Sequence, residues 1–236
     1  MGLTQRGWIA ALAVGACTLA GGGWRFALVL LAFFLSSMAL SRVGRKQKAA
    51  ITTAGKHGPR DEWQVLANGG IAAGCALVAA ATHRELAAAA FAGAFAAANA
   101  DTWATEIGTL ANGVPRSILT WRPLPTGLSG GITAAGTLAQ VAGAVAVGAV
   151  AGVLGIAPWW AVAAGGVAGS LADSVAGAAL QERRYCPQCR IECETDPHAC
   201  GTATALAGGT PWLKNDGVNF VCTALGAVVG AVLTVR

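Results

Sequence analysis

Along most of this chain apolar residues come in long blocks, and polar residues crowd into the short stretches between them. Blocks of about 17–25 apolar residues are long enough to cross a bilayer as helices. They predict spans at Trp8–Ala20 (extendable through Gly23), Phe26–Leu40, Val65–Ala81, Leu86–Leu110, Gly130–Ile156, Trp159–Leu180 and Val218–Val235. The expected fold is therefore all-α: a single polytopic membrane helix bundle over residues 1–236, with about seven transmembrane helices and a polar loop at 183–211 between the last two. The apolar run after Arg6, ending in Val14-Gly15-Ala16-Cys17, loosely imitates a secretion signal. It is read here as the first span.

Composition agrees with the pattern. Apolar residues make up 55% of the chain and charged ones only 11%, against about 25% in soluble domains. Ala and Gly dominate, as suits membrane helices that associate by close packing. The net charge of +5 therefore speaks of topology, and no nucleic-acid partner is expected. With the loop carrying Arg42, Arg45, Lys46, Lys48, Lys56 and Arg60 in the cytoplasm, thirteen of the sixteen basic residues lie inside, and only Arg25, Arg84 and Arg236 outside. By the positive-inside rule the N-terminus is cytoplasmic and the C-terminus is not.

Four acids break the apolar pattern. Asp101 and Glu106 stand near the end of the fourth span, and Asp173 lies deep in the sixth. Two Ala-Asp-Ser/Thr-x-Ala phrases, at Asp101 and Asp173, recur 72 residues apart. Ionisable groups at membrane depth are expensive and are kept for a partner or a task. Structural carboxylates that cap or cross-bond helices would be the plain explanation. At 1.5 Å per residue, Asp101 lies about 24 Å and Asp173 about 22 Å from the outer ends of their helices. Both are thus near the cytoplasmic face, with Glu106 beyond them and Asp216 and Asn219 opening the seventh span. Asn68, inside the third span, needs a polar partner of its own and is expected to face the same pocket.

Two loops add chemistry. Thr126, Gly127, Ser129, Gly130 and Gly131 form a Gly-rich run before the fifth span, where free backbone N–H groups suit an anion. The 183–211 loop carries Cys186, Cys189, His198 and Cys200, a spacing fit for structural zinc. Free or redox-active thiols are the alternative, with Cys193 either spare or a substitute ligand. Carboxylates facing basic groups and a Gly-rich loop suit a Mg²⁺–phosphate complex. The competing reading is a proton- or cation-coupled transporter using Asp101, Glu106 and Asp173.

The motifs Asn99-Ala-Asp101-Thr-Trp-Ala-Thr-Glu106-Ile-Gly108, Pro125-x-Gly127-x-Ser-Gly130-Gly131, Ser170-Leu-Ala-Asp173-Ser174-x-x-Gly177 and Trp212-Leu-Lys-Asn215-Asp216-Gly-Val-Asn219-Phe form an ordered set. Together they resemble the membrane family that includes plant phytyl-phosphate kinase and animal transmembrane protein nineteen, and the Cys/His loop resembles its prokaryotic branch. The resemblance implies a kinase in the plasma membrane of a prokaryote, with its active site cytoplasmic. It would transfer the γ-phosphate of a nucleoside triphosphate, CTP by resemblance, to an isoprenyl (phytyl or polyprenyl) monophosphate lipid. Asp101, Glu106, Asp173 and Asp216 would then hold Mg²⁺. Lys46, Lys48, Lys56, Arg60, Asn68, Thr126, Gly127, Ser129, Gly130, Gly131, Ser174, Asn215 and Asn219 would bind the co-substrate.

Overall fold

The computed structural model describes residues 2–51, 58–82, 85–111 and 113–235, with backbone alone at 49–51. Its helices are α1 (Gln5–Arg42), α2 (Arg45–Ile51), α3 (Glu62–Thr82), α4 (Glu85–Leu110), α5 (Ala134–Val153), α6 (Trp159–Ala179) and α7 (Asn215–Thr234). Short strands β1 (Arg116–Ser117) and β2 (Gly131–Ile132) precede α5, and β3 (Arg183–Cys186), β4 (Ile191–Cys193) and β5 (Ala205–Gly208) separate α6 from α7. Five of these helices, α1, α3, α5, α6 and α7, are long and apolar enough to cross a membrane.

The 38-residue α1 is two spans joined end to end. Gly23, at φ 61°, breaks the helical geometry, a conformation that glycine reaches without a Cβ penalty. The first arm runs beside α3, with Val14 against Gly69 and Gly21 against Ala76. The second runs beside α4, with the Phe26 and Phe91 rings stacked 4.1 Å apart and Phe33 stacked on Phe95. The chain thus folds back at Gly23, and the described residues give seven passes. Helix starts follow local chemistry: Thr4 and Thr133 accept the Gly7 and Gly136 amides at 3.0 Å, satisfying donors left free in a first turn.

Helix α4 is the axis of the bundle and touches α1, α3, α5, α6 and α7. Every residue from Phe91 to Ala100 is buried. Small side chains allow this. A Cβ added at Gly226 would fall 2.5 Å from the Ala97 Cβ and 2.7 Å from the Gly93 carbonyl, and one at Gly169 2.5 Å from the Cys222 carbonyl. Large apolar side chains such as Leu12, Leu138, Val153 and Val232 instead cover the exterior.

Polar groups tie the helices where packing alone would let them slide. Asn99, fully buried, accepts from Ser36 Oγ at 2.9 Å and donates to the Gly143 carbonyl at 2.8 Å, joining α4 to α1 and α5. Gln140 donates to the Val167 carbonyl, and Thr223 to that of Ala67. Replacing Gly226 with Val should overpack the α4–α6–α7 junction and cost about 1–3 kcal/mol. The melting temperature in detergent should fall accordingly, while Gly15→Ala, with nothing within 4 Å of the new Cβ and alanine the better helix former, should not lower it.

Candidate functional site

The close-packed stripes of α4 and α6 both run into an acid. Gly93, Ala97 and Asp101 are spaced by four on α4, and Gly165, Gly169 and Asp173 are spaced by four on α6. Residues four apart share a helix face. The faces that pack most tightly in the core therefore present Asp101 and Asp173 to each other one turn later. Asp101 and Asp173 indeed interact electrostatically.

Both line a cavity of about 570 Å³ at this end of the bundle. Asn215 and Asp216, from the start of α7, enter its wall beside Ser174. The Gly-rich loop forms the facing wall through Thr126, Gly127, Ser129, Gly130 and Gly131. That loop is wedged in place. β2 pairs with β1, Gly131 opposite Ser117, and a Cβ on Gly130, at φ 78°, would fall 2.5 Å from the Ala178 Cβ. A larger cavity, about 680 Å³, lies at the other end among Gly152, Val153, Pro158 and Trp159, with Glu85 the one acid among its described lining residues.

Glu106 also reaches the first cavity, but its oxygens are engaged. Oε1 accepts from Ser41 Oγ at 2.6 Å, and Oε2 pairs with Lys48 Nζ, which donates too to the Leu40 carbonyl at 2.8 Å. Glu106 therefore anchors the basic helix α2 at the cavity rim. Arg60 lies in the field of Glu106, and burial lowers its pKa. Four expected contributors, Arg60 among them, stand outside the wall. Lys46 is exposed on α2. Asn68 turns back to donate to the Gln64 carbonyl of its own helix at 2.9 Å, and Gln64 takes its place in the wall. Asn219 is buried one turn inside α7, where its carbonyl accepts from Thr223. Lys56 and Arg84 lie outside the described residues.

The 183–211 loop contributes more than its spacing suggests. β3 pairs with β4 and β5 into a three-stranded antiparallel sheet. Arg184 fastens it by donating to Asp196 Oδ2 and the Thr204 carbonyl, both at 2.9 Å, and by pairing with Glu182. Backbone bonds from Glu182 to Leu213 and from Thr210 to Leu180 seat the sheet on the ends of α6 and α7. Glu182, Glu194, Thr195 and Asp196 thereby join the cavity wall. Glu194 accepts the Ser129 amide at 2.6 Å and neighbours Asp173 electrostatically. Burial pushes its carboxyl up from the usual range, against the downward pull of Ser129 and Gln181. In sequence Glu194 looks like filler between Cys193 and His198; the bend that follows β4 brings it to the cavity.

At the far end of the sheet the Cys186, Cys189 and Cys200 sulfurs and a His198 nitrogen lie within 4.8 Å of one another. Sulfurs of a tetrahedral zinc centre with Zn–S near 2.3 Å sit about 3.8 Å apart. Here Cys186 and Cys200 are 3.6 Å apart, and His198 Nδ1 is 3.2 Å from Cys200 Sγ, so the four groups fit such an ion. Hydrogen bonding with Thr202 and His198 pulls the Cys200 thiol down to about 5, while its bond with Cys189 pushes that thiol up to about 11, so Cys200 is the group of the cluster that most readily gives the thiolate form that binds metal. Cys193 stands apart, buried, with its thiol directed to the Thr195 carbonyl.

The family profile of Integral membrane protein DUF92 matches residues 1–227. Protein PGR of Arabidopsis thaliana is 32% identical over 90% of this chain and 83% of its own length. An uncharacterised membrane protein of Methanocaldococcus jannaschii is 31% identical over 89% of this chain and 77% of its own. One from Synechocystis is 29% identical over 96% and 81%. No solved structure matches.

Elemental analysis of the purified protein should find one zinc per chain, and Cys189→Ser or Cys200→Ser should lower it well below that. A wild-type protein without stoichiometric zinc would overturn the assignment. The Lys48–Glu106 pair, largely shielded from solvent, should behave as a unit. Lys48→Met should cost up to about 3–5 kcal/mol by leaving Glu106 unpaired, and adding Glu106→Gln should recover most of that loss in the melting temperature.

Proposed function

Since this chain belongs to the DUF92 family of integral membrane proteins, we propose that it is a membrane lipid-phosphate kinase, passing the γ-phosphate of a nucleoside triphosphate to an isoprenyl monophosphate. One observation carries the reading. Carboxylates from α4, α6 and α7 face a Gly-rich loop across a single cavity at one end of the bundle. Phosphoryl transfer needs positioning and charge neutralisation more than covalent chemistry, and this arrangement offers both.

Asp101, Asp173 and Asp216 would hold Mg²⁺. Asp173 Oδ2 is sealed from solvent and lacks a hydrogen-bond partner among the described residues, which suits a cation ligand. The bound ion would neutralise charge developing on the triphosphate oxygens. The Gly127–Gly131 loop would present amides to the phosphates, and Lys48 and Lys214, both in the wall, would offset their charge. An oxygen of the lipid monophosphate attacks the γ-phosphorus while the bond to the β–γ bridging oxygen breaks, releasing a nucleoside diphosphate and an isoprenyl diphosphate. A phosphate dianion is already the nucleophile, so no proton changes hands. CTP as donor and phytyl or polyprenyl phosphate as acceptor follow from the sequence resemblance, and a cytoplasm-facing cavity follows from the distribution of Lys and Arg.

Purified protein incubated with phytyl and geranylgeranyl monophosphates and each nucleoside triphosphate should form the lipid diphosphate in the presence of Mg²⁺. Asp101→Asn and Asp173→Asn should each lower turnover at least about 10²–10³-fold while leaving the folded protein extractable. If no lipid phosphate is extended with any triphosphate and proteoliposomes instead show ion- or proton-coupled uptake, the transporter reading replaces this one.

A further inference from the structure

We infer that Glu194 is a specificity-determining residue that reserves the Gly-rich loop for phosphate chains arriving with a divalent cation. The inference rests on the kinase reading of the cavity and adds to it a residue from outside the helix bundle. Within the loop that would cradle phosphate, the Ser129 amide is already taken: Glu194 Oε1 accepts it at 2.6 Å. A carboxylate there stands where a phosphate oxygen would stand.

The geometry makes this a competition. The loop cannot retreat, because Gly130 abuts Ala178 and a Cβ on Gly177 would fall 3.0 Å from that of Ser129. Glu194 is held from the other side, since it follows β4, whose Cys193 pairs with Arg184, and Arg184 is bonded to Asp196 at 2.9 Å. Asp173 stands within electrostatic reach of Glu194 and of Asp101. A bare phosphate anion therefore meets an occupied amide and the carboxylate that holds it. A phosphate chain carrying Mg²⁺ brings the charge that Asp101 and Asp173 require, and Glu194 gives up the amide to it. Because Glu194 sits on the same 183–211 loop as the Cys/His cluster, an element outside the membrane sets which phosphates enter.

The test is equilibrium binding of pyrophosphate to the full-length protein in detergent, with and without MgCl2. No chelator is added, so that the Cys/His centre keeps its metal. Wild-type protein should bind pyrophosphate only with Mg²⁺. Glu194→Gln keeps the shape but loses the charge, and should bind metal-free pyrophosphate at least about tenfold more tightly than wild type. The dependence on Mg²⁺ should shrink by the same factor. Glu194→Ala should do likewise if the Gln variant folds poorly, and Glu85→Gln, the same charge change on an exposed residue at the other end of the bundle, should have no effect. An unchanged Mg²⁺ dependence in Glu194→Gln and Glu194→Ala overturns the inference and leaves the kinase reading standing. So does weaker binding of Mg–pyrophosphate, which would make Glu194 a cation ligand. Folded wild-type and variant proteins that bind no pyrophosphate under any condition overturn both.

Discussion

The close approach of α4, α6 and α7 is the constraint on which the rest of the molecule depends. Lipid tails are as apolar as the helices, so association must come from packing and a few hydrogen bonds. Gly93, Ala97, Gly165, Gly169 and Gly226 bring backbones nearly into contact, and α4 can then be buried along its length. The site inherits that precision. Asp101 and Asp173 stand one turn beyond the tightest contacts, on helices whose separation is fixed by atoms without side chains to rearrange. A loosely packed bundle could not hold two carboxylates in register at the membrane edge.

Charge is managed by pairing at the rim and by exposure to a cavity within. Glu106 is neutralised by Lys48 and further bonded to Ser41, which secures α2 over the opening. Asn99 plays the corresponding neutral part deeper down, its amide spent on Ser36 and Gly143. The groups that the packing does not use, chiefly Asp101 and Asp173, line the cavity.

Much of this was legible in the sequence. Block length located the passes, including the reversal near Gly23, because a bilayer sets helix length directly. The repeated Ala-Asp phrase and the Gly-rich run pointed to the residues now found around one cavity, since acids in apolar blocks have few reasons to exist. Other features depend on contacts between distant parts of the chain. Glu194 reaches the cavity from the bend after β4, and nothing around it in sequence says which way it turns. Asn68 sat in an apolar helix like Asn99, yet satisfies itself on Gln64 where Asn99 reaches other helices. Spacing gives no means of telling an amide that bonds backward from one that bonds across. Glu106 resembled Asp101 in placement, and only the fold of α1 and α2 over it shows that its oxygens are engaged.

The position of the small sheet between α6 and α7 bears on how the protein is built. Helix α7 supplies Gly226 and Gly230 to the central junction and Asp216 to the cavity, but the chain reaches it last, after the whole of β3–β5 has been made. Until then the groove on α4 and α6 that will receive α7 is open, with Gly93 and Gly165 facing lipid or a neighbouring chain. Helix α7 therefore does two things at once, filling the central junction with Gly226 and Gly230 and adding Asp216 to the cavity wall. A nascent chain stopped before residue 215 would already hold Asp101, Asp173 and the Gly-rich loop, but would lack Asp216 and the helix that packs on Gly93 and Gly165.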